Sequence, residues 1–346
     1  MRIVFIVLTL FTSGCFMVGP DFQRPETNIS EDWLKEDTTA LKQGDHLEWW
    51  KLFNDPVLEQ LIETAYRQNL DLQIAGVRIL EARAQLGIAR GSLFPQKQQV
   101  GAGVSLDRAS ENSDLEFISS GISTYGTFQM GFDAMWEIDI WGRFRRGIES
   151  ADAKLAMSVA DYDSFLVSLT AEVAATYVQI RTFQQRLKLA RENEQIERQS
   201  LHITEVRLKN GLNTELDVQQ AKALLYATRA LISSLEVGLR HSQNAMSILL
   251  GVPAYDLPEV LHEYASIPTA QKEITTGIPA NMLRRRPDVR REELKAAAQS
   301  ALIGVAKADL FPRFTLRGAI GVENSSTKAI DMFSIFNMKS LAATVG

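Results

Sequence analysis

The chain has 346 residues, 45% of them apolar and 23% charged, with a formal net charge of −5. That suits one large folded domain or two ordinary ones. The acidic balance argues against a nucleic-acid or phosphate-binding protein, which carries a basic footprint. The run Arg284-Arg285-Arg286 reads as a solvated approach to a helix.

Residues 1–14 read as a signal peptide. Arg2 is a minimal positive region, and residues 3–11 are apolar except for Thr9. At about 1.5 Å per residue that stretch is too short to span a bilayer, but it fits a signal-peptide core. Thr12-Ser13-Gly14-Cys15 follows, and Cys15 is the only cysteine, so no intramolecular disulfide is available. The four residues resemble a bacterial lipobox, with Thr12 where Leu is usual. In a lipobox the thiol carries a thioether-linked diacylglyceryl lipid, so Cys15 is expected to become a lipidated mature N-terminus. Phe16 after it, rather than Asp, favours sorting to the outer membrane. No other apolar stretch nears the roughly twenty residues of a membrane helix, so any crossing must use strands closed into a barrel.

Residues 15–55 form a lipidated lead-in rich in Pro, Asp and Trp. Asp55-Pro56 is a helix start, cap then first helical position. One helix is expected from there to about Asn69, and a second over 71–92, stopped by Leu93-Phe94-Pro95. The period then changes. Val100, Ala102, Val104 and Leu106 alternate with small or polar residues, and after a polar loop (107–127) Phe128, Met130, Phe132, Ala134, Trp136, Ile138 and Ile140 do the same. Period two predicts a hairpin within 97–141 with one apolar face. Its strands are near the ~9–11 residues of a tilted membrane strand, with Trp136 and Trp141 near one end as interface aromatics. A soluble hairpin alternates in the same way, and alternation alone leaves both readings open.

A single helix is expected over 143–209, with apolar residues at steps of three and four from Leu155 to Ala190, a coiled-coil seam. It would be about 100 Å long, which implies an elongated molecule. Lys209-Asn210-Gly211 ends it, with Gly211 as a left-handed cap. After a tip turn at 210–214, Thr214-Glu215-Leu216-Asp217 caps a helix over 214–250. Residues 251–287 are a Pro-containing equatorial region.

The phrase GIARGSLFPQ (87–96) returns as GVAKADLFPR (304–313). One shift places Asp71 on Asp288, Ala84 on Ala301, Gly87 on Gly304 and Leu93-Phe94-Pro95 on Leu310-Phe311-Pro312. The apolar phase of the strand that follows slips by one, to Leu316, Ile320 and Val322. The chain therefore reads as a first repeat (56–250) and the start of a second (288–346). The two shorter helices of the first repeat, laid end to end, fall about two turns short of the long one. That points to a cylinder of antiparallel helices continuing into strands. A full second repeat extends about 120 residues past Gly346. The fourth strand, second long helix and second tip turn are therefore expected to be missing, leaving three strands. A fragment of a longer protein and a decayed product both fit that expectation.

Several motifs now stand in order: Val18-Gly19-Pro20-Asp21-Phe22, Trp49-Trp50, Glu137-Ile138-Asp139-Ile140-Trp141-Gly142, Arg285-Arg286-Pro287-Asp288-Val289 and the two Leu-Phe-Pro stops. Together they resemble the outer membrane factor (TolC-like) family, lipoprotein branch, over nearly the whole chain. The resemblance implies a mainly α fold with a membrane β-barrel portion. It implies a homotrimer in the outer membrane of a Gram-negative bacterium, its long antiparallel helices forming an α-barrel tunnel. Each protomer adds strands to a shared barrel. It also implies a passive exit duct for small molecules or ions, with a periplasmic adaptor protein and an inner-membrane efflux pump as partners. Arg207, Gly211, Leu212, Thr214, Leu216 and Asp217 match the family's adaptor-docking tip. Capping chemistry alone also accounts for Gly211, Thr214 and Asp217.

No enzyme is expected. His46, His202, His241 and His262 show no metal-ligand spacing, and no HExxH, P-loop or nucleophile elbow is present. The expectation is no catalytic residue, no metal, no cofactor beyond the covalent lipid (palmitate) on Cys15, and no nucleic-acid partner. The rival reading is a lipid-anchored periplasmic coiled-coil scaffold that never spans the membrane, or a non-functional truncated fragment.

Overall fold

Short-range capping chemistry sets most helix ends in this protein. The computed structural model describes residues 17–26, 46–108, 124–269, 285–326 and 341–345. The chain divides into two compact units. Cys15 and the expected signal peptide lie outside the described residues.

In the unit made of Glu26–Ile79 and Ser158–Arg291, helix α1 (Pro56–Gln68) starts as the sequence implies. Asp55 Oδ1 accepts the N–H groups of Val57 (2.9 Å) and Leu58 (3.3 Å), with Pro56 in the first turn. The other Asp55 oxygen accepts Tyr177 Oη at 2.7 Å. Asn69 serves two helices at once. Its amide donates to Leu249 O at 3.0 Å, and its carbonyl Oδ1 accepts the N–H of Leu72 at the start of α2 (Leu70–Gly91). The core joins Leu58, Ile62 and Ala65 of α1 to Val173, Tyr177 and Ile180 of α3 (Arg143–Lys209) and to Met246 and Leu250 of α4 (Glu215–Leu250). Trp49, Trp50 and Phe53 of a 3-10 segment (His46–Phe53) pack against it.

Helix α3 runs 67 residues without a break, about 100 Å by its rise per residue. Its middle seam is buried at Leu169, Val173, Tyr177, Ile180, Leu187 and Ala190, as the steps of three and four predict. Three buried polar side chains fasten the irregular segment after α4. Arg181 Nη1 donates to Glu263 O (2.8 Å), Gln184 Nε2 to Leu261 O (2.8 Å), and Gln243 Nε2 to the same carbonyl (3.2 Å).

The other unit comprises Met1–Pro25, Leu80–Met157 and Glu292–Gly346. Its sheet has the order β1-β2-β3-β4, antiparallel throughout. The strands are β1 (Lys97–Arg108), β2 (Thr124–Ile138), β3 (Phe314–Ser326) and β4 (Leu341–Val345). Two expectations are corrected here. The loop is shorter than 107–127, because Asp107 and Arg108 still pair with Tyr125 and Thr124. Ladder hydrogen bonds continue past the point where side chains turn polar.

The second correction is larger: a fourth strand is present where three were expected. Leu341, Ala343 and Val345 stand opposite Val322, Ile320 and Gly318. Five residues of Leu, Ala, Thr and Val are too few to show a period, and Ala is a weak strand former.

The repeat is visible in the backbone. Helices α2 and α5 (Pro287–Ala308) have 22 residues each, and the shift that places Gly87 on Gly304 also places their ends on one another. The same shift places the start of β1 on that of β3, and the start of β2 on that of β4.

Candidate functional site

The sheet has two unlike faces. Val100, Phe132 and Ile320 form one row across three strands, and all three are exposed. Val104, Met130 and Leu316 on the same face are also exposed. The adjacent row on the opposite face is Gly101, Gly131 and Gly321. Gln99, Gln129, Asp133 and Glu323 flank these glycines around a hollow of about 380 Å³. A Cβ would stand 2.8 Å from Met130 O on Gly321 and 3.2 Å from Ile320 O on Gly131, so these two have little room for a side chain, whereas Gly101 faces open space. Exposed apolar residues on one face, with polar residues and glycines on the other, is the pattern of a strand wall between lipid and water.

At the root of the sheet the motif from Glu137 to Gly142 builds a clasp. Helix α3 begins with Arg143, Arg145 and Arg146 and has no acid in its first turn. Cations there oppose the helix dipole, so carboxylates must come from elsewhere. Asp139 caps the helix, accepting the N–H of Phe144 (3.1 Å) and of Arg145 (3.0 Å), and also Arg145 Nε (3.1 Å). Arg143 pairs with Glu137 (3.3 Å) and Asp309 (3.1 Å). Arg146, only 2% exposed, donates to Val18 O and Gly19 O (3.2 Å each), to Asp21 (2.8 Å) and to Glu149 (2.7 Å). The N–H of Val18 in turn donates to Trp141 O at 3.0 Å.

The segment just after Cys15 is thus tied to the root of α3. Both Leu-Phe-Pro stops are tied in as well. Trp136 Nε1 donates to Leu93 O, and Trp141 Nε1 to Pro312 O, each at 2.9 Å. The Trp141 ring stacks on Phe311 with centroids 4.7 Å apart. Arg146 was not singled out from sequence. The available signal was three arginines at a helix start with no acid among them.

The far end of α3 brings all six tip residues into one turn. Gly211 has φ +71°. Its N–H donates to Leu208 O (2.9 Å), and that of Leu212 to Arg207 O (2.9 Å), the double closure of a left-handed helix cap. Thr214 and Asp217 then form a capping box. Asp217 Oδ2 accepts the N–H of Thr214 (2.8 Å) and its hydroxyl (2.8 Å), while Thr214 Oγ1 accepts the N–H of Asp217 (3.3 Å). The backbone and side-chain bonds from Thr214 hold the Asp217 carboxyl below its ordinary range. Leu212, just before this box, and Leu216, within it, stand exposed.

Residues 61–252 match the outer membrane efflux protein family. The chain belongs to that family. Among curated relatives, Nodulation protein T of Rhizobium leguminosarum bv. trifolii is 32% identical over 312 residues, which is 90% of this chain and 65% of the relative. The pyoverdine export outer membrane protein OpmQ of Pseudomonas putida is 34% identical over 280 residues, 80% of this chain and 58% of the relative. The chain thus spans under two thirds of the length of these relatives. The solved outer-membrane channel OprN superposes with a TM-score of 0.82 at 34% identity, covering 95% of this chain and 72% of that one. The fold is therefore that of the TolC-like α-barrel channels, mostly helical with a small strand portion. Of these, OpmQ is described as a pyoverdine export protein and OprN as an outer-membrane channel.

Proposed function

We propose that this outer membrane efflux protein is the exit duct of a tripartite efflux or secretion system. It acts as a homotrimer in the outer membrane of a Gram-negative bacterium and passes small molecules or ions without chemistry of its own. The observation that carries the reading is the two-faced sheet. Its apolar face suits lipid and its polar, glycine-lined face suits a water-filled lumen. The outer edges of β1 and β4 have no strand partner among the described residues. Unpaired backbone in lipid costs several kcal/mol per group, so an open sheet must close with other copies. Three protomers of four strands give a shared twelve-strand barrel.

The helices then line a periplasmic tunnel whose tip turn, with Leu212 and Leu216 exposed, docks a periplasmic adaptor coupled to an inner-membrane pump. Cys15 carries the lipid, and the Arg146 clasp holds the chain three to six residues beyond it. The test is extraction in mild detergent followed by planar-bilayer recording. A trimer with stepwise conductance is the expected result, and a monomer that never conducts overturns the reading. A tag within 109–123 labelled from outside intact cells requires a spanning hairpin. The same tag staying hidden would favour the periplasmic scaffold. Intact mass shows the lipid as an adduct that Cys15→Ser abolishes.

A further inference from the structure

We infer that the groove between α3 and α4, roofed by His262 and Tyr264, is a binding site for a short acidic peptide segment. The groove lies wholly within the unit made of Glu26–Ile79 and Ser158–Arg291, so neither the strand sheet nor the exit-duct reading bears on it. Its volume is about 1010 Å³. Its walls run from Gln184 to Gln195 on α3 and from Ser233 to Gln243 on α4, roughly 16 Å of helix. That is far more room than a single ion needs and stands at the upper end of ligand-pocket sizes. About five residues of extended chain fill that length.

The charges along the groove select the ligand. Arg191 on one wall donates to Glu236 on the other at 2.8 Å, so these two cancel. Two cations remain near the roof. Arg240 makes no hydrogen bond or ion pair among the described residues. Lys188 has no carboxylate partner there either, and its Nζ stands 4.6 Å from the centre of the Tyr264 ring. The Tyr264 hydroxyl in turn donates to Gln185. A ring beneath an ammonium orients it and leaves N–H donors for an acceptor. The antiparallel register of the two helices is fixed by the Arg191–Glu236 and Arg229–Glu194 pairs, at 2.8 and 2.9 Å. It puts Arg240 across from the turn of α3 that precedes Lys188.

The roof is fixed as well. Gln243 Nε2 donates to Leu261 O (3.2 Å) and to His262 Nδ1 (3.3 Å), which leaves Nε2–H as the donor of a neutral imidazole. A guanidinium and an ammonium without carboxylate partners, beside an imidazole N–H, favour carboxylates. Glu192 lines the groove one turn beyond Lys188 and disfavours acid there. The segment therefore enters with its acidic end beneath the roof and an uncharged body along Val237 and Leu239.

The test uses the full chain in mild detergent at low salt, with the fluorescein-labelled peptide Ala-Ala-Leu-Glu-Glu read by anisotropy. Saturable binding is expected, and none of the matching Ala-Ala-Leu-Lys-Lys peptide. Arg240→Gln and Lys188→Gln should each weaken it about tenfold. Both side chains are exposed, so helical content and thermal midpoint should hold. Arg198→Gln, on α3 beyond the groove, should leave binding unchanged. No saturable binding, or equal weakening by Arg198→Gln, would overturn the site. Citrate separates a free carboxylate from a peptide: displacement at least about tenfold weaker than by unlabelled peptide is expected. Equal displacement by citrate would overturn the peptide as occupant.

Discussion

The two ends of α3 use similar residues to opposite effect. Its start carries three arginines for which the helix offers only Glu149, so they take further acceptors from β3's lead-in, from the end of β2 and from the segment after Cys15. Its end carries Arg207 and Lys209, where cations suit the dipole, and closes on its own backbone through Gly211. An end that depends on distant partners is locked to them. An end that satisfies itself leaves its apolar side chains free for something else, and Leu212 and Leu216 are left exposed there.

Breaking the locked end should have the largest effect. Arg146→Met keeps most of the volume but removes the donors to Val18 O, Gly19 O and Asp21. The cost should be about 2–4 kcal/mol, because buried acceptors lose their partner. Chemical denaturation reads that loss, and residues 17–26 should become the first site of limited proteolysis. An unchanged cleavage pattern would mean that the clasp does not hold the segment. Asp139→Ala comes next, at roughly 2 kcal/mol, since one carboxylate caps two N–H groups and pairs Arg145. Asp139→Asn can still accept at the helix start, so it should recover about half of that loss.

The free end should respond locally. Gly211→Ala forces a Cβ into left-handed backbone at about 1 kcal/mol. Hydrogen exchange should quicken around 207–217 while the global denaturation midpoint barely moves. Leu212→Ser should leave stability unchanged within ~0.5 kcal/mol, as surface substitutions do. If the tip is the docking site, co-purification of the adaptor should fall with it. A variant that keeps full adaptor binding would remove Leu212 from the contact.

What sequence could and could not reveal follows the same division. The cap at Asp55-Pro56, the stop at Gly211 and the box at Thr214 and Asp217 were legible because each works within four residues. The two-faced hairpin was legible because period two repeats many times. The clasp was not, since Arg146 meets Gly19 and Asp21 across 127 and 125 residues of chain. Nothing local at Val18 or Gly19 announces a partner. Strand β4 was missed for a related reason: five residues are too few to show a period, and its pairing with β3 lies about twenty residues away in the chain.

The smallest expected effect is a pH response confined to the free end. The Asp217 carboxyl sits below its ordinary value of 3.8 because Thr214 donates to it from backbone and hydroxyl. A carboxyl depressed in the folded state stabilises it at pH values above the unfolded value. That contribution starts to fade as pH falls past the ordinary value and is gone below the lowered one. Protection of the Thr214 amide should therefore fall on acidification through this window, measured against an unstructured peptide of the same sequence. Asp217→Asn can still accept at the helix start but does not titrate, so its protection should stay flat. A flat profile in the native chain would mean that the capping box is not formed in solution. The self-contained end of α3 would then need a partner as much as the clasped end does.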